Sequence, residues 1–300
     1  MRQRLVEILI GFMLILGPSL LLAGQIVTEA DRQWAKKALE QEETMKAAPA
    51  SNTVAVLAFQ NRSDNPELTP LQKGFAFLLM TDLAQVEGIT VVERIRLQAL
   101  LEELDLGASG LVEKQTEPRL GRLLGAGYLV GGDLTSSTQT QLGILSDVLQ
   151  VRDQNSLGRP AAEGIMEQIF DLEKKILFEV VDLLKIKLSK QDREKLAQPL
   201  TTSYQALLYL SCGLDSSDRG NYPQAATCYR KALEQDPQLT PARNALTELA
   251  ALNLVTVNPR SQDILDGQEE QNSSTLSLGK NNATFREFRP ATTGQIRVIW

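Results

Sequence analysis

The chain has 300 residues, 43% of them hydrophobic and 23% charged, which is ordinary for a globular protein with one large or two modest cores. Its formal net charge of −6 argues against a general nucleic-acid binder, since such proteins usually present a basic face. The sequence contains no histidine, which removes the commonest general base and the commonest metal ligand. We therefore expect a protein that is not an enzyme and that uses no cofactor and no metal.

Residues 1–24 have the layout of a secretory signal peptide. Arg2 and Arg4 precede an apolar run at residues 8–15, and small residues stand at the end of the segment. A retained membrane anchor is the alternative, but the apolar run is short for a span and Gly17-Pro18 interrupts it. We expect cleavage near Ala23 or Gly24.

The residue after Gly24 is Gln25, not cysteine, so the lipobox of a bacterial lipoprotein is absent. Association with a membrane stays open, but lipid anchoring at this point is not expected. Residues 25–52 are predicted to be a helical spacer, since residues 28–48 are rich in Ala, Glu, Lys and Gln. Trp34, Ala38 and Met45 give this helix only a narrow apolar stripe, and a helix that docks on a partner is the alternative.

Residues 53–190 are predicted to form an α/β domain. Apolar strand candidates alternate with amphipathic helices that begin near Leu71 and Arg94, as expected when helices cover a sheet. The strand candidates are residues 54–59, 89–92 and 128–132. Glu102, Glu103 and Asp105 near the end of the second helix are expected to be a solvated face.

Beyond the third strand, residues 141–151 and 155–165 are predicted to extend the sheet as an antiparallel pair. Pro160 confines the second of these strands to an edge, because proline cannot donate a ladder hydrogen bond. Residues 166–188 follow with apolar positions at helical spacing and are predicted to form one long amphipathic helix.

Residues 54–188 resemble the CsgG-like family of the curli secretion apparatus and the related amino-terminal domain of TolB. The resemblance rests on four pieces: Phe59 and Asn61 after the first strand, Thr81-Asp82-Leu83, Val91-Val92-Glu93-Arg94, and residues 124–130. It implies an α/β (α+β) fold and a bacterial protein that is periplasmic or outer-membrane-associated. Its partners would be other cell-envelope proteins or further copies of itself, with no nucleic acid. Within this domain we take Asn61, Arg62 and Asp64 as a candidate interaction loop.

Residues 200–256 are predicted to be an all-α tetratricopeptide-repeat module, because residues 206–237 fit the frame of that repeat. In the frame, small residues let two helices approach while tyrosines fill the space between them. The repeat-defining residues are Tyr209, Gly213, Gly220, Tyr222, Ala225, Tyr229, Ala232 and Pro237. A single repeat cannot bury its own face. We keep two alternatives, a helical cap docked on the α/β domain and a groove for a partner peptide.

Cys212 and Cys228 fall on the two helices of this repeat. An exported protein can form a disulfide there, but sequence position does not show that the Cα atoms lie within bridging distance. We prefer two buried thiols, since both positions face neighbouring helices. Residues 257–300 are predicted to be a flexible tail with a terminal strand at 295–300.

These features point to a non-enzymatic exported protein that acts as an assembly or interaction scaffold of the cell envelope. A subunit of an oligomeric curli-type secretion channel in the outer membrane is the alternative. The missing lipobox counts against the channel, because the channel-forming members of the family that this chain resembles are lipoproteins.

Overall fold

The computed structural model describes residues 25–42, 50–106 and 112–256. The predicted leader at residues 1–24 and the predicted tail at 257–300, with its terminal strand, lie outside the described residues.

A single mixed sheet organises the first part of the described chain. The strand order is β3-β1-β4-β5-β6. β1 is parallel to β3 and to β4, and β5 is antiparallel to β4 and to β6. Beyond the end of β1, β2 pairs with β4, and β7 pairs with β5 beyond β6. The strands are β1 Ala50–Val56, β2 Gln60–Asn61, β3 Thr90–Val91, β4 Ala126–Thr135, β5 Gln141–Gln150, β6 Asn155–Gly158 and β7 Ala161–Ile165.

Helices cover this sheet and continue past it. Pro66–Leu68 and Met166–Gln168 are short 3₁₀ turns. The α-helices are α1 Glu29–Glu40, α2 Leu71–Leu83, α3 Arg94–Glu103, α4 Glu117–Leu123, α5 Ile169–Leu183, α6 Lys190–Leu196, α7 Tyr204–Asp218, α8 Tyr222–Gln235 and α9 Thr240–Ala251. No α-helix in the described ranges combines the length and the apolar character that crossing a bilayer requires.

The two faces of the sheet are covered to different extents. On the first face, α2 and α5 close a core that runs from Val54 to Val148 and includes the paired aromatic rings of Phe59 and Phe75. On the second face, α1, α3 and α4 cover a smaller core around Ala55, with its far side at Val151. Over β5 and β7, no helix of the described ranges covers the rest of the second face, and Leu145 and Ile165 are exposed there.

The mixed sheet-and-helix fold predicted from the alternating pattern is confirmed. Residues 155–165 form two short strands at the edge, and both pair with β5 on either side of Arg159-Pro160. The helix predicted for 166–188 ends at Leu183, because Lys185 takes a left-handed conformation with a φ of 58°. In that turn the Ile186 amide donates to the Val181 carbonyl, so the carboxyl end is capped despite the continuing apolar pattern.

The prediction of a solvated spacer helix at the amino terminus is wrong. α1 packs against α3, with Ala35 fully buried in the second-face core. Arg32 Nε lies 3.2 Å from Glu102 Oε2, and Lys36 Nζ lies 3.8 Å from Glu103 Oε1. The two carboxylates expected to face solvent therefore hold α1 in place.

The last three helices pack on one another and on the sheet-bearing part. α7 lies between α2 and α8, and Phe77 of α2 shares a core with Leu210 and Tyr229. At the α2–α7 contact, Gly74 lets the backbones approach. A Cβ atom there would lie 1.9 Å from Ser211 Oγ.

Candidate functional site

The uncovered part of the sheet is the clearest candidate for a functional surface. We call it the open sheet face, made of Asp133 of β4, Leu145 and Asp147 of β5, and Glu163 and Ile165 of β7. Leu145 is 41% exposed and Ile165 is 45% exposed. The alternate residues of β5, which point to the opposite face, are buried. Such alternation is typical of an antiparallel sheet with one face in solvent.

A shallow cleft of about 40 Å³ lies where the open sheet face meets α4, and this is room for a few water molecules. Gln60 forms part of its wall and donates from Nε2 to the Val112 carbonyl at 2.8 Å. The charged residues that line the cleft are Arg62, Lys114, Glu117, Asp133, Asp147 and Arg159.

Most of these charges are paired across the cleft. Arg62 Nε lies 3.1 Å from Asp133 Oδ1, and Arg159 Nε lies 3.5 Å from Asp147 Oδ2. Burial raises the pKa of Glu117, and the nearby carboxylates of Asp147 and Asp133 raise it further. The cleft thus has balanced charge, with both signs side by side next to exposed apolar side chains.

The arrangement combines exposed apolar side chains with paired charges. Within the described ranges no three acidic, cysteine or histidine side chains converge in a way that could hold a metal ion. An exposed sheet face with apolar side chains among paired charges resembles the mixed apolar and polar character of protein–protein interfaces.

The structure places the residues of the candidate interaction loop in three different roles. Asn61 is structural, because its Oδ1 accepts from the Ser63 amide at 3.0 Å and its Nδ2 donates to the Asn65 carbonyl at 2.8 Å. Arg62 lines the cleft. Asp64 is exposed on the turn that follows.

The repeat-defining residues meet in the α7–α8 pair. Tyr229 is fully buried, and a Cβ atom at Gly213 would lie 2.2 Å from its ring, so only glycine fits at that position. Ala225 and Ala232 are fully buried. Tyr209 and Tyr222 pack at the border of the same core, Gly220 takes a φ of 70° in the turn, and Pro237 is exposed after α8.

Cys212 and Cys228 form a disulfide with a Cα–Cα distance of 5.8 Å, so the preference for two buried thiols is wrong. Residues on adjacent antiparallel helices at this spacing are within ordinary bridging range. The bond ties α7 to α8.

Two buried ion clusters were not predicted. The first, which we call the junction cluster, consists of Lys73, Arg94, Asp215 and Asp218. Lys73 Nζ lies 2.8 Å from Asp218 Oδ2 and 3.0 Å from Asp215 Oδ1, and Arg94 Nη1 lies 2.7 Å from Asp218 Oδ1. It joins α2 and α3 to the carboxyl end of α7.

The second, which we call the α5 cluster, consists of Asp82, Glu173 and Lys174. Lys174 pairs with Asp82 and lies 3.3 Å from Glu173 Oε2, and Glu173 Oε1 has no hydrogen-bond partner in the part of the chain that the structure describes. The motif Thr81-Asp82-Leu83 marked Asp82 in the sequence, but nothing local identified its partner 92 residues away.

Comparison with known proteins agrees with the fold of the first part. Residues 35–143 match the family described as "Curli production assembly/transport component CsgG". Over 250 residues the chain is 23% identical to a protein named "Putative adenylate cyclase 3" from Rhizobium meliloti (strain 1021). That match takes in 77% of this chain and 40% of the relative, so the chain spans less than half of the curated protein that it matches.

Among solved structures, the carboxyl-terminal domain of LpoB from Salmonella enterica is similar to this chain, and the match covers 44% of this chain and 93% of the LpoB chain. The same domain from Escherichia coli superposes on 44% and 97%. Both superpositions have a TM-score of 0.31 and 16% identity.

Proposed function

We propose that this chain, with a CsgG domain at residues 35–143, is a non-enzymatic scaffold of the bacterial cell envelope that binds other envelope proteins. The match to a family described by curli assembly and transport supports the location, in the periplasm or at the outer membrane. The observation that carries the binding role is the open sheet face, where Leu145 and Ile165 are exposed beside paired charges. Each of these side chains leaves about two-fifths of its surface in water, and covering that surface with a partner would stabilise the complex.

The C-terminal helices are proposed to be a tetratricopeptide-type cap. The close packing of Gly213 on Tyr229 and the burial of Ala225 and Ala232 support that frame. Because α7 is packed against α2 on one side and α8 on the other, the docked cap is favoured over a free peptide groove. In this proposal the cap stiffens the scaffold, and the sheet provides the binding surface.

A subunit of an oligomeric curli-type secretion channel is the second candidate, and the description of the matching family favours it. In that case the same domain would assemble into a ring with further copies of itself. The two candidates differ in whether the purified protein needs detergent and whether it forms a large homo-oligomer.

The test is photo-crosslinking in living cells. A photoreactive residue is placed at position 145, 165 or 252, since Leu145, Ile165 and Leu252 have closely similar exposures of 41%, 45% and 43%. Position 252 follows α9 and is the matched control, away from the sheet. We expect adducts to an envelope protein from positions 145 and 165 and none from 252.

Cell fractionation and size-exclusion chromatography complete the experiment. Recovery in the cytoplasm, or equal adducts from all three positions, would contradict the scaffold proposal. A large ring obtained only in detergent, with adducts solely to further copies of the chain, would support the channel subunit instead.

A further inference from the structure

The first described residues form a buried strap between the two parts of the molecule. Gln25, Ile26 and Val27 are 5%, 2% and 7% exposed and lead directly into the capping box of α1. Ile26 packs in the core of the C-terminal helices, whereas Val27 packs in the core under α1 and α3. The strap therefore contacts both cores within two consecutive residues.

Three polar atoms of Gln25 have partners from distant elements. Its backbone N–H donates to Glu248 Oε2 of α9 at 2.6 Å. Arg94 Nε donates to its side-chain Oε1 at 3.1 Å, and Arg94 Nη2 donates to its carbonyl oxygen. A site that fixes the backbone and the side chain of one residue together recognises that residue in a specific position.

Glu248 is the unusual member of this site. It is half-buried, and burial raises its pKa, which the amides of Gln25 and Ile26 oppose. Within the described ranges no cation lies at ion-pair distance from it. The charge of Arg94, whose nitrogens donate to Asp218 and to Gln25, lowers the pKa of Glu248 without contacting it. A half-buried carboxylate whose hydrogen bonds come from neutral donors is stabilised further by a positive charge in direct contact.

We propose that Gln25 is the first residue of the mature protein and that its α-ammonium group binds Glu248. The proposal rests on the proposed export of the chain, because it requires a leader peptidase. Hydrolysis of the Gly24–Gln25 peptide bond transfers the hydroxyl of water to the Gly24 carbonyl carbon and a hydrogen to the Gln25 nitrogen. The freed amine takes up a proton near neutral pH. The donor that already lies 2.6 Å from Glu248 Oε2 then carries a full positive charge in contact with the carboxylate.

This ion pair would make leader removal strengthen the contact between the strap and α9. A charge-assisted hydrogen bond between ammonium and carboxylate is roughly twice as strong as one from a neutral amide. One extra residue before Gln25 would move the charge away from Glu248. Loss of Gln25 itself would remove both contacts to Arg94.

The first experiment is to produce the full chain in an exporting bacterium and identify its amino-terminal peptide by mass spectrometry. We expect the peptide to begin at Gln25 with a free α-amino group. An exported protein that begins at another residue, or at a Gln25 cyclised with loss of ammonia, overturns this inference and leaves the scaffold proposal standing. A protein that is not exported contradicts the scaffold proposal.

The second experiment does not depend on export. Two chains ending at Trp300 are released from a removable fusion, one beginning at Gln25 and one retaining Gly24, and each is also made with Glu248→Gln. We expect the Gln25 chain to melt several degrees higher than the Gly24 chain at pH 6, with no difference in the Glu248→Gln pair. Equal melting temperatures of the first pair overturn the proposed ion pair.

Discussion

Helix α2 packs against α7 and against α5, and we call these two contacts the α7 seam and the α5 seam. Their buried charges are arranged differently. Against α7 it contributes Lys73 to the junction cluster, which we call balanced because each carboxylate contacts two cations. Asp218 contacts Lys73 and Arg94, and Asp215 contacts Lys73 and Arg219. Against α5 it contributes Asp82 to the α5 cluster, in which two carboxylates share the single cation of Lys174. The same helix thus has a balanced cluster near its start and an unbalanced one near its end.

The difference decides how each seam responds to change. In the balanced cluster every charge has a partner, so the cluster is sensitive to removal of one member. In the unbalanced cluster, burial and then the carboxylate of Asp82 raise the pKa of Glu173 to about 8, while Lys174 opposes the rise. The α5 seam therefore stays intact by keeping a proton, and the α7 seam stays intact by pairing.

The largest expected effect comes from removing the central carboxylate of the junction cluster. The side chain of Asp218 is 1% exposed and contacts both Lys73 and Arg94. Asp218→Ala leaves two buried cations short of a partner, so we expect a loss of about 3–5 kcal/mol in the free energy of unfolding, measured with denaturant. Asp215→Ala is the control, because that carboxylate is 40% exposed. It should cost about 1 kcal/mol or less. Equal losses would show that the junction is not organised around Asp218.

Removing the disulfide tests whether the α7 seam depends on the packing of α7 against α8. Replacing Cys212 and Cys228 by alanine opens a loop with a sequence separation of 16 residues. The expected loss in the free energy of unfolding is about 2–4 kcal/mol. Amide hydrogen exchange should increase in α7 and α8 and stay unchanged in α5. Increased exchange throughout α5 would contradict the independence of the two seams.

A smaller effect is expected from filling the close approach between α2 and α7. Gly74→Ala places a Cβ atom 1.9 Å from Ser211 Oγ, so the helices must separate or Ser211 must rotate. We expect a loss of about 1–3 kcal/mol in the free energy of unfolding. Adding Ser211→Ala removes the closest atom and should recover part of that loss. Losses that simply add in the double variant would mean that this contact does not hold the seam.

The seams also show where inference from sequence succeeds. The periodicity of α2 and α5 and the alternation of β5 predicted elements that the structure contains, because local patterns of apolar residues decide which face is buried. Missed α6 carried a readable signal, since Ser189 and Asp192 form a capping box at its start. The end of α5 at Lys185 is harder to predict, because no neighbouring residue indicates a left-handed turn and the apolar pattern continues beyond it.

The partners within the seams could not be predicted in the same way. Lys73 and Asp218 are 145 residues apart, and the charge of each alone fits a solvated helix face. The open sheet face could not be predicted, because Leu145 and Ile165 fit ordinary strand positions. Their exposure depends on which helices cover the sheet, and the sequence does not show this. Arg62 was named from the sequence as an interaction residue, yet its pairing with Asp133 depends on β2 continuing beside β4.

The last expected effect is absent at low pH and appears only as the pH rises, and it separates the two seams. Glu173 has a folded-state pKa of about 8 and an unfolded-state value near 4.5. Because the folded value is the higher one, its stabilising contribution is complete below pH 4.5 and is lost as the pH rises through 8. Glu173→Gln keeps a neutral side chain, so its difference from the wild type should be smallest below pH 4.5. At pH 9 it should exceed the wild type by at least about 1.4 kcal/mol, since the shift is more than one pKa unit. Asp171→Asn, on the exposed side of the same helix, should leave the pH profile unchanged. Parallel profiles for the wild type and Glu173→Gln would mean that Glu173 is not the group that holds the proton.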